Sequence, residues 1–292
     1  MCLLPEKLPT KLPTKKLCST VHPCLRQQSV DCLSLVLLPG WGFDRRLWRE
    51  LVAPLQSYVR VITLDLPGFG DNRLVSWRRQ EDICRQIVEA MPARALYAGW
   101  SLGGMLATRI AADFPDRVVG IITLATNASF IERYHWPDAM DAVDFQHFYD
   151  AVVDYPRRAL KRFCQLLTKG DKLARQQLRW LRNIATQSAD YPNLAAALSL
   201  LKALDNSDRI GGLQAPGLHI FGERDHLVPV STMRALKQLS SGNRYNRQQY
   251  YCLNDVGHLV FWPNKRVLSL IGHFLAELVA PSSTSSVYHG DR

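Results

Sequence analysis

The sequence predicts an α/β fold, a mostly parallel sheet with helices on both faces and a helical cap inserted between two strands. Three observations predict it. Short, almost wholly apolar runs recur along the chain, helix-patterned segments separate most of them, and one long interval holds helical patterns alone. Strands buried on both faces read as continuous apolar runs rather than alternating ones. Alternation of such runs with helices is the pattern of a parallel sheet covered by helices.

Taken in order, "CLSLVLLPGWG" from Cys32 is the first strand, closed by glycine, and "YVRVITLDLPGFG" from Tyr58 is the second. "RALYAGW", ending at Trp100, is the third, and "SLGGMLATRIAADFPDRV" follows at once with helical spacing and a stop near Pro115. "VVGIITLATNA" from Val118 is the fourth, "APGLHIFGERDHLVP" from Ala215 the fifth and "RQQYYCLNDVGH" from Arg247 the sixth. Helical patterns also cover Asp82–Ala90 and Val267–Val279. Between Asn127 and Asp205, "DFQHFYDAVVD", "RRALKRFCQLL" and "KLARQQLRWLRNIA" have amphipathic helical spacing. Residues 31–126 and 206–280 are therefore expected to form the core and 127–205 the cap. The cap would lie over the C-terminal edge of the sheet, where open α/β sheets bind ligands.

The 292 residues suit one α/β domain with an insertion, and the formal net charge is +10. Part of that charge is "MCLLPEKLPTKLPTKK", whose repeated prolines oppose both helix and strand. Residues 1–30 are expected to be a disordered extension without the apolar core of a secretory signal. "PSSTSSVYHGDR", residues 281–292, is expected to be a flexible tail. No apolar run approaches the roughly 20 residues of a membrane helix, so no membrane partner is expected. The seven cysteines are scattered without a C-x-x-C pair, which favours reduced thiols in a cytoplasmic protein. No metal or cofactor is expected.

Chemistry enters at "GWSLG", Gly99 to Gly103, a G-x-S-x-G pattern between a predicted strand and a predicted helix. Such a turn lifts the hydroxyl of Ser101 above the sheet edge. A serine is a weak nucleophile and needs a histidine base, itself oriented by a carboxylate. His258, in "NDVGHLVFWP" after the last strand, is the best-placed base; His226 is the rival, His219 lies within a strand, and His135 and His147 fall in the cap. Asp225, in the loop after the fifth strand, is the favoured carboxylate, with Glu223, Asp205 and Asp208 as neighbours that could replace it. The backbone N–H groups of Leu102 and of Trp41, in "LLPGWGFD", are candidate donors to an oxyanion.

With these residues in view, Leu35 to about Leu275 resembles the α/β-hydrolases through "PGWG", "DLPGFG", "GWSLGG", "ERDHLVP" and "GH". More narrowly it resembles the pimeloyl-[acyl-carrier protein] methyl ester carboxylesterases of biotin synthesis (BioH type). "LLPGWGFDRRLW", the Trp of "GWSLGG" and "RRALKRFCQLLTKGDKLARQQLRWLR" carry that narrower likeness. The resemblance implies an α/β-hydrolase fold and hydrolysis of the methyl ester of a pimeloyl chain held on acyl carrier protein through phosphopantetheine. Ser101 would be the nucleophile, His258 the base and Asp225 its orienting acid. Trp41, Trp100 and Phe163 would contact substrate, and Arg158, Arg162, Arg175 and Arg179 would dock the carrier. Two positions depart from the family pattern: Pro39 stands where a histidine commonly precedes the glycine, and Leu167 where a cap glutamine is common.

The residues support a docking face independently. Tyr155 to Arg182 contains nine Lys/Arg and a single acidic residue, Asp171. Arg158 with Arg162, and Arg175 with Arg179, are spaced to share a helix face. A cationic face over an active site suggests an anionic partner, and with no nucleic-acid motif present that partner is not expected to be nucleic acid. A monomer is expected. Two other readings stay open: an esterase, thioesterase or carbon–carbon hydrolase for a small free substrate, and a non-catalytic ligand-binding protein of the same fold.

Overall fold

The computed structural model describes residues 16–25, 32–77, 79–188, 191–243, 247–262 and 264–279. Their strands form one seven-stranded sheet: β1 (Ser19–His22), β2 (Ser34–Leu38), β3 (Arg60–Leu64), β4 (Ala95–Trp100), β5 (Val118–Leu124), β6 (Gly217–Gly222) and β7 (Gln248–Leu253). The spatial order is β1-β3-β2-β4-β5-β6-β7. All neighbours are parallel except β1, which runs antiparallel to β3. β2 and β4 are buried at every position, as continuous apolar runs require. Truncating one such leucine to alanine costs about 2–5 kcal/mol.

β1 corrects the expectation that residues 1–30 lack structure. Without it, β3 would end the sheet with its backbone groups open. Instead Ser19–His22 pairs with Leu64–Val61. The side chain of Asn72 fixes the entry, accepting the Cys18 N–H (2.8 Å) and donating to the Cys18 carbonyl (3.1 Å). Local composition could not reveal a strand that depends on a partner 54 residues away. Residues 1–15, 26–30 and the tail 281–292 lie outside the described residues.

Three helices precede the insertion: α1 (Arg49–Leu55), α2 (Gln80–Ala90) and α3 (Leu102–Asp113). α3 is buried on almost its whole circumference and packs against β4 and β5. It ends where Phe114 precedes Pro115, a junction that disfavours further helix. Between β5 and β6 come α4 (Ala142–Asp154), α5 (Pro156–Leu167), α6 (Ala174–Ser188) and α7 (Tyr191–Ala203). α5 starts with Pro156 in its first turn, where the missing N–H costs nothing. It buries Ala159, Leu160, Phe163, Cys164 and Leu167 and exposes Arg157, Arg158, Lys161 and Arg162. α8 (Val230–Ser241) and α9 (Lys265–Val279) complete the chain.

Among the described residues no helix is long and apolar enough to cross a membrane. Burial pushes the thiols of Cys84 and Cys164 up to about 12, leaving them poor nucleophiles at neutral pH.

His219, inside β6, is buried between the Thr123 hydroxyl (2.7 Å) and the Gln248 amide (2.9 Å) and stacks on Tyr250. Burial lowers its pKa from 6.5 to about 4, so the folded protein holds it neutral. An unfolded chain takes up the proton as pH falls below 6.5 and the folded one does not. Stability is therefore complete above pH 6.5 and declines toward pH 4, by about 3 kcal/mol at 1.36 kcal/mol per unit. Urea denaturation at pH 7 and pH 4.5 should show this loss, and His219→Gln should remove its part of it.

Candidate active site

The chain reverses its direction across the sheet between β2 and β4, and the C-terminal ends of these neighbouring strands define the crevice expected to bind ligand. Ser101 follows β4 directly with φ 53° and ψ −118°, a strained backbone for a non-glycine residue. Its surroundings hold it there. The Ser101 N–H donates to the Leu124 carbonyl (2.9 Å), and the Ser101 carbonyl accepts the N–H groups of Gly104 (3.0 Å) and Met105 (3.1 Å).

The glycines on either side answer a steric demand. A Cβ on Gly99 would stand 2.1 Å from the Gly103 carbonyl carbon, and one on Gly103 would stand 2.0 Å from the Leu38 carbonyl oxygen. Only bare backbone lets β4 turn into α3 this closely to the end of β2.

Asp225 and His258 lie in the loops after β6 and β7 at the same edge. His258 Nδ1 is 2.7 Å from Asp225 Oδ2, and both side chains are buried. The other oxygen of Asp225 accepts the N–H groups of Leu227 (2.8 Å) and Val228 (3.0 Å), which fixes the carboxylate. Among the described residues His258 Nε2 is buried without a hydrogen-bond partner, and none joins it to Ser101 Oγ. A base poised to accept a proton has this form before substrate completes the array.

The alternative residues go elsewhere. His226 is exposed, His219 is neutral within β6, and His135 pairs with Asp205 at 3.2 Å. His147 is exposed on α4. Glu223 accepts the Asp255 N–H, and Asp208 pairs with Arg209 at 3.4 Å. Of the residues weighed from the sequence, Asp225 is the carboxylate that meets His258.

Trp41 and Trp100 bind the site together, by contacts the sequence does not reveal. The Trp100 indole N–H donates to the His258 carbonyl (2.9 Å), and the rings of the two residues lie 5.2 Å apart. Trp100 thus supports the loop that carries His258. The Trp41 indole N–H donates to the Leu194 carbonyl of α7 (2.9 Å), while its ring meets Phe163 of α5 edge-on at 4.9 Å and Phe148 of α4 at 5.4 Å. The loop after β2 is thereby joined to the inserted helices. The backbone N–H groups of Trp41 and Leu102 have no backbone acceptor among the described residues. A cleft of about 590 Å³ opens between α4, α5 and the loop after β6, lined by Met140, Phe148, Phe163, Leu166 and Leu227, with Asp225 in its wall.

Arg158 and Arg162 on α5, and Arg175 and Arg179 on α6, are all exposed. None forms an ion pair with an acidic side chain among the described residues. Leu167 is fully buried, so its side chain serves packing. No cluster of three or more His, Cys, Asp or Glu side chains suited to a metal occurs among the described residues.

Comparison with known proteins adds family context. The model of the alpha/beta hydrolase fold matches residues 34–265. The biotin biosynthesis bifunctional protein BioHC of Cellvibrio japonicus is 35% identical over 245 residues, covering 84% of this chain and 48% of that protein. The chain thus spans about half the length of that relative. The pimeloyl-[acyl-carrier protein] methyl ester esterase of Edwardsiella ictaluri is 36% identical over 212 residues, covering 72% of this chain and 82% of that protein. Among solved structures, the hydrolase olei00960 from Oleispira antarctica superposes with a TM-score of 0.77 at 14% identity, covering 90% of this chain and 96% of that one.

Gly103→Ala should destabilise the protein by roughly 1–3 kcal/mol, as overpacking does, because neither the α3 backbone nor the Leu38 carbonyl has room to retreat. Denaturation midpoints of the variant and parent measure this.

Proposed function

Because the chain belongs to the α/β-hydrolase fold family, we propose that it is a serine carboxylesterase that hydrolyses the methyl ester of a pimeloyl chain carried on acyl carrier protein. The observation that carries the catalytic part is the buried Asp225–His258 pair with an unpartnered Nε2, at the same sheet edge as the strained Ser101 turn.

In this reading Ser101 Oγ attacks the ester carbonyl while His258 Nε2 takes its proton. Asp225 holds the imidazole with its proton on Nδ1 and stabilises the imidazolium that forms. The N–H groups of Leu102, at the start of α3, and Trp41 receive the negative charge on the carbonyl oxygen. One such donor is worth roughly 2.7–4 kcal/mol in the transition state. The tetrahedral intermediate collapses as His258 returns the proton to the departing methoxide, leaving methanol and an acyl-Ser101 ester. Water, deprotonated by the same nitrogen, then attacks the acyl group and frees the carboxylate and Ser101. No step calls for a cofactor.

The substrate part rests on two supports. Relatives at 35–36% identity are named for biotin biosynthesis and for a pimeloyl-[acyl-carrier protein] methyl ester esterase. The second support is charge. Arg158, Arg162, Arg175 and Arg179 stand exposed and unpaired among the described residues on two adjacent helices, a face suited to an acidic carrier and the phosphate of its prosthetic arm. Phe163, which packs on Trp41 and lines the 590 Å³ cleft, is the proposed apolar contact for the acyl chain.

Ser101→Ala should abolish hydrolysis of a short p-nitrophenyl ester while leaving the denaturation midpoint close to that of the parent; unchanged turnover would exclude Ser101 as nucleophile. Reversing the charge of the four arginines should lower kcat/KM for the carrier-bound ester by about 10-fold or more at low salt, leaving the p-nitrophenyl ester unaffected. An equal rate on the carrier-bound ester would dismiss the docking face.

A further inference from the structure

The basic segment from Tyr155 to Arg182 holds one acidic residue, Asp171, and that residue does not join the cationic surface. It lies in the connection between α5 and α6 and is buried. One carboxylate oxygen accepts the Leu173 N–H (2.7 Å), at the approach to α6. The other accepts the N–H of Gly257 (2.9 Å), in a buried contact across 86 residues of chain. Gly257 immediately precedes His258.

The surrounding connection is shaped to deliver this contact. Thr168 closes α5 by donating its hydroxyl to the carbonyls of Cys164 (3.3 Å) and Gln165 (3.2 Å). Gly170 then takes φ +83°, and a Cβ there would stand 3.1 Å from the Arg224 carbonyl and 3.3 Å from His226 Nε2. Gly257 is equally confined, since a Cβ on it would stand 3.3 Å from both Asp171 Cβ and the Lys169 carbonyl. On its far side, the Gly257 carbonyl would be 2.3 Å from a Cβ on Gly222, at the end of β6. The α5–α6 connection therefore leans on the loop bearing Asp225 and on the loop bearing His258 together.

We propose that Asp171 is a positioning residue for His258, a role that rests on the catalytic reading given above. Two hydrogen bonds bracket the base: Asp171 takes the N–H of Gly257 just before it, and Trp100 donates to the carbonyl of His258 itself. The side-chain contact with Asp225 sets the ring, and the two backbone contacts set the loop that carries the ring. A carboxylate is suited to this, because it accepts two N–H groups at once with charge-assisted strength. Asparagine can offer its oxygen to one of the two and must turn its NH2 toward the other.

The test measures how fast an alkyl fluorophosphonate phosphonylates Ser101, using parent protein, Asp171→Ala and Asp171→Asn. The rate constant is taken from the exponential, so an unfolded fraction lowers its amplitude and leaves its rate alone. Mass spectrometry of the parent adduct identifies the modified serine. The expected rate for Asp171→Ala is about 10-fold below the parent, a fraction of the roughly 100-fold that a 1 Å misplacement of a reacting group can cost, with Asp171→Asn between the two. Turnover of a p-nitrophenyl ester should show the loss in kcat, with KM held within about 2-fold, because only the transition state needs the aligned base. The proton between His258 Nδ1 and Asp225 should broaden or shift in the downfield NMR spectrum of the alanine variant. Parent-like labelling rates in both variants, with an unchanged downfield proton, would overturn the role of Asp171. An adduct on a serine other than Ser101 in the parent protein would overturn the catalytic reading instead. Asp171→Asn, close to the parent in shape, keeps the test decisive if the alanine variant fails to fold.

Discussion

The contact on which the site depends is the approach of the first turn of α3 to the end of β2, with Gly103 resting on the Leu38 carbonyl. Side chains cannot intervene there, so the turn after β4 is forced tight and Ser101 adopts its left-handed backbone. The same closeness sets Leu102 at the start of α3 beside the loop that carries Trp41. A second close approach, Gly40 against the Trp100 ring at 2.6 Å from a hypothetical Cβ, locks that loop to β4. The turn at Ser101 is thus fixed by backbone packing, which does not relax as a side-chain rotamer would, and the loop of Trp41 by a buried indole ring.

Around that contact the structure is assembled in rings of support. Asp225 is held by two backbone N–H groups before it meets His258. His258 is held by its carbonyl as well as by its ring. Trp41 extends the support outward, through Leu194 and Phe163, to helices that carry the cationic face. Few residues make up the candidate site, and many more hold them still, as a preorganised site requires.

Much of this was legible because it is written in local pattern. β2 to β6 are buried, mostly apolar runs, the turn at Ser101 is a glycine-flanked motif between strand and helix, and Asp225 and His258 follow their strands in chain order. What was hidden depends on partners far away. β1 is a strand because Asn72 and the open edge of β3 make it one. α7 escaped notice in a stretch rich in alanine and leucine, where apolar residues surround the helix and no periodicity marks a face. The Trp100 indole meets the His258 carbonyl across 158 residues of chain. Asp171 read as a lone exception in a basic segment, and only the fold shows what it faces.

The unpartnered Nε2 of His258 has a further meaning. A buried ring nitrogen without a hydrogen-bond partner among the described residues costs about 1–3 kcal/mol relative to a paired one. Selection for stability alone would remove it, by an apolar ring or by a neighbouring donor that never leaves. Its presence marks a place where the fold stands away from its own energetic optimum, so that a hydroxyl arriving at the site is met by a group already in want of one.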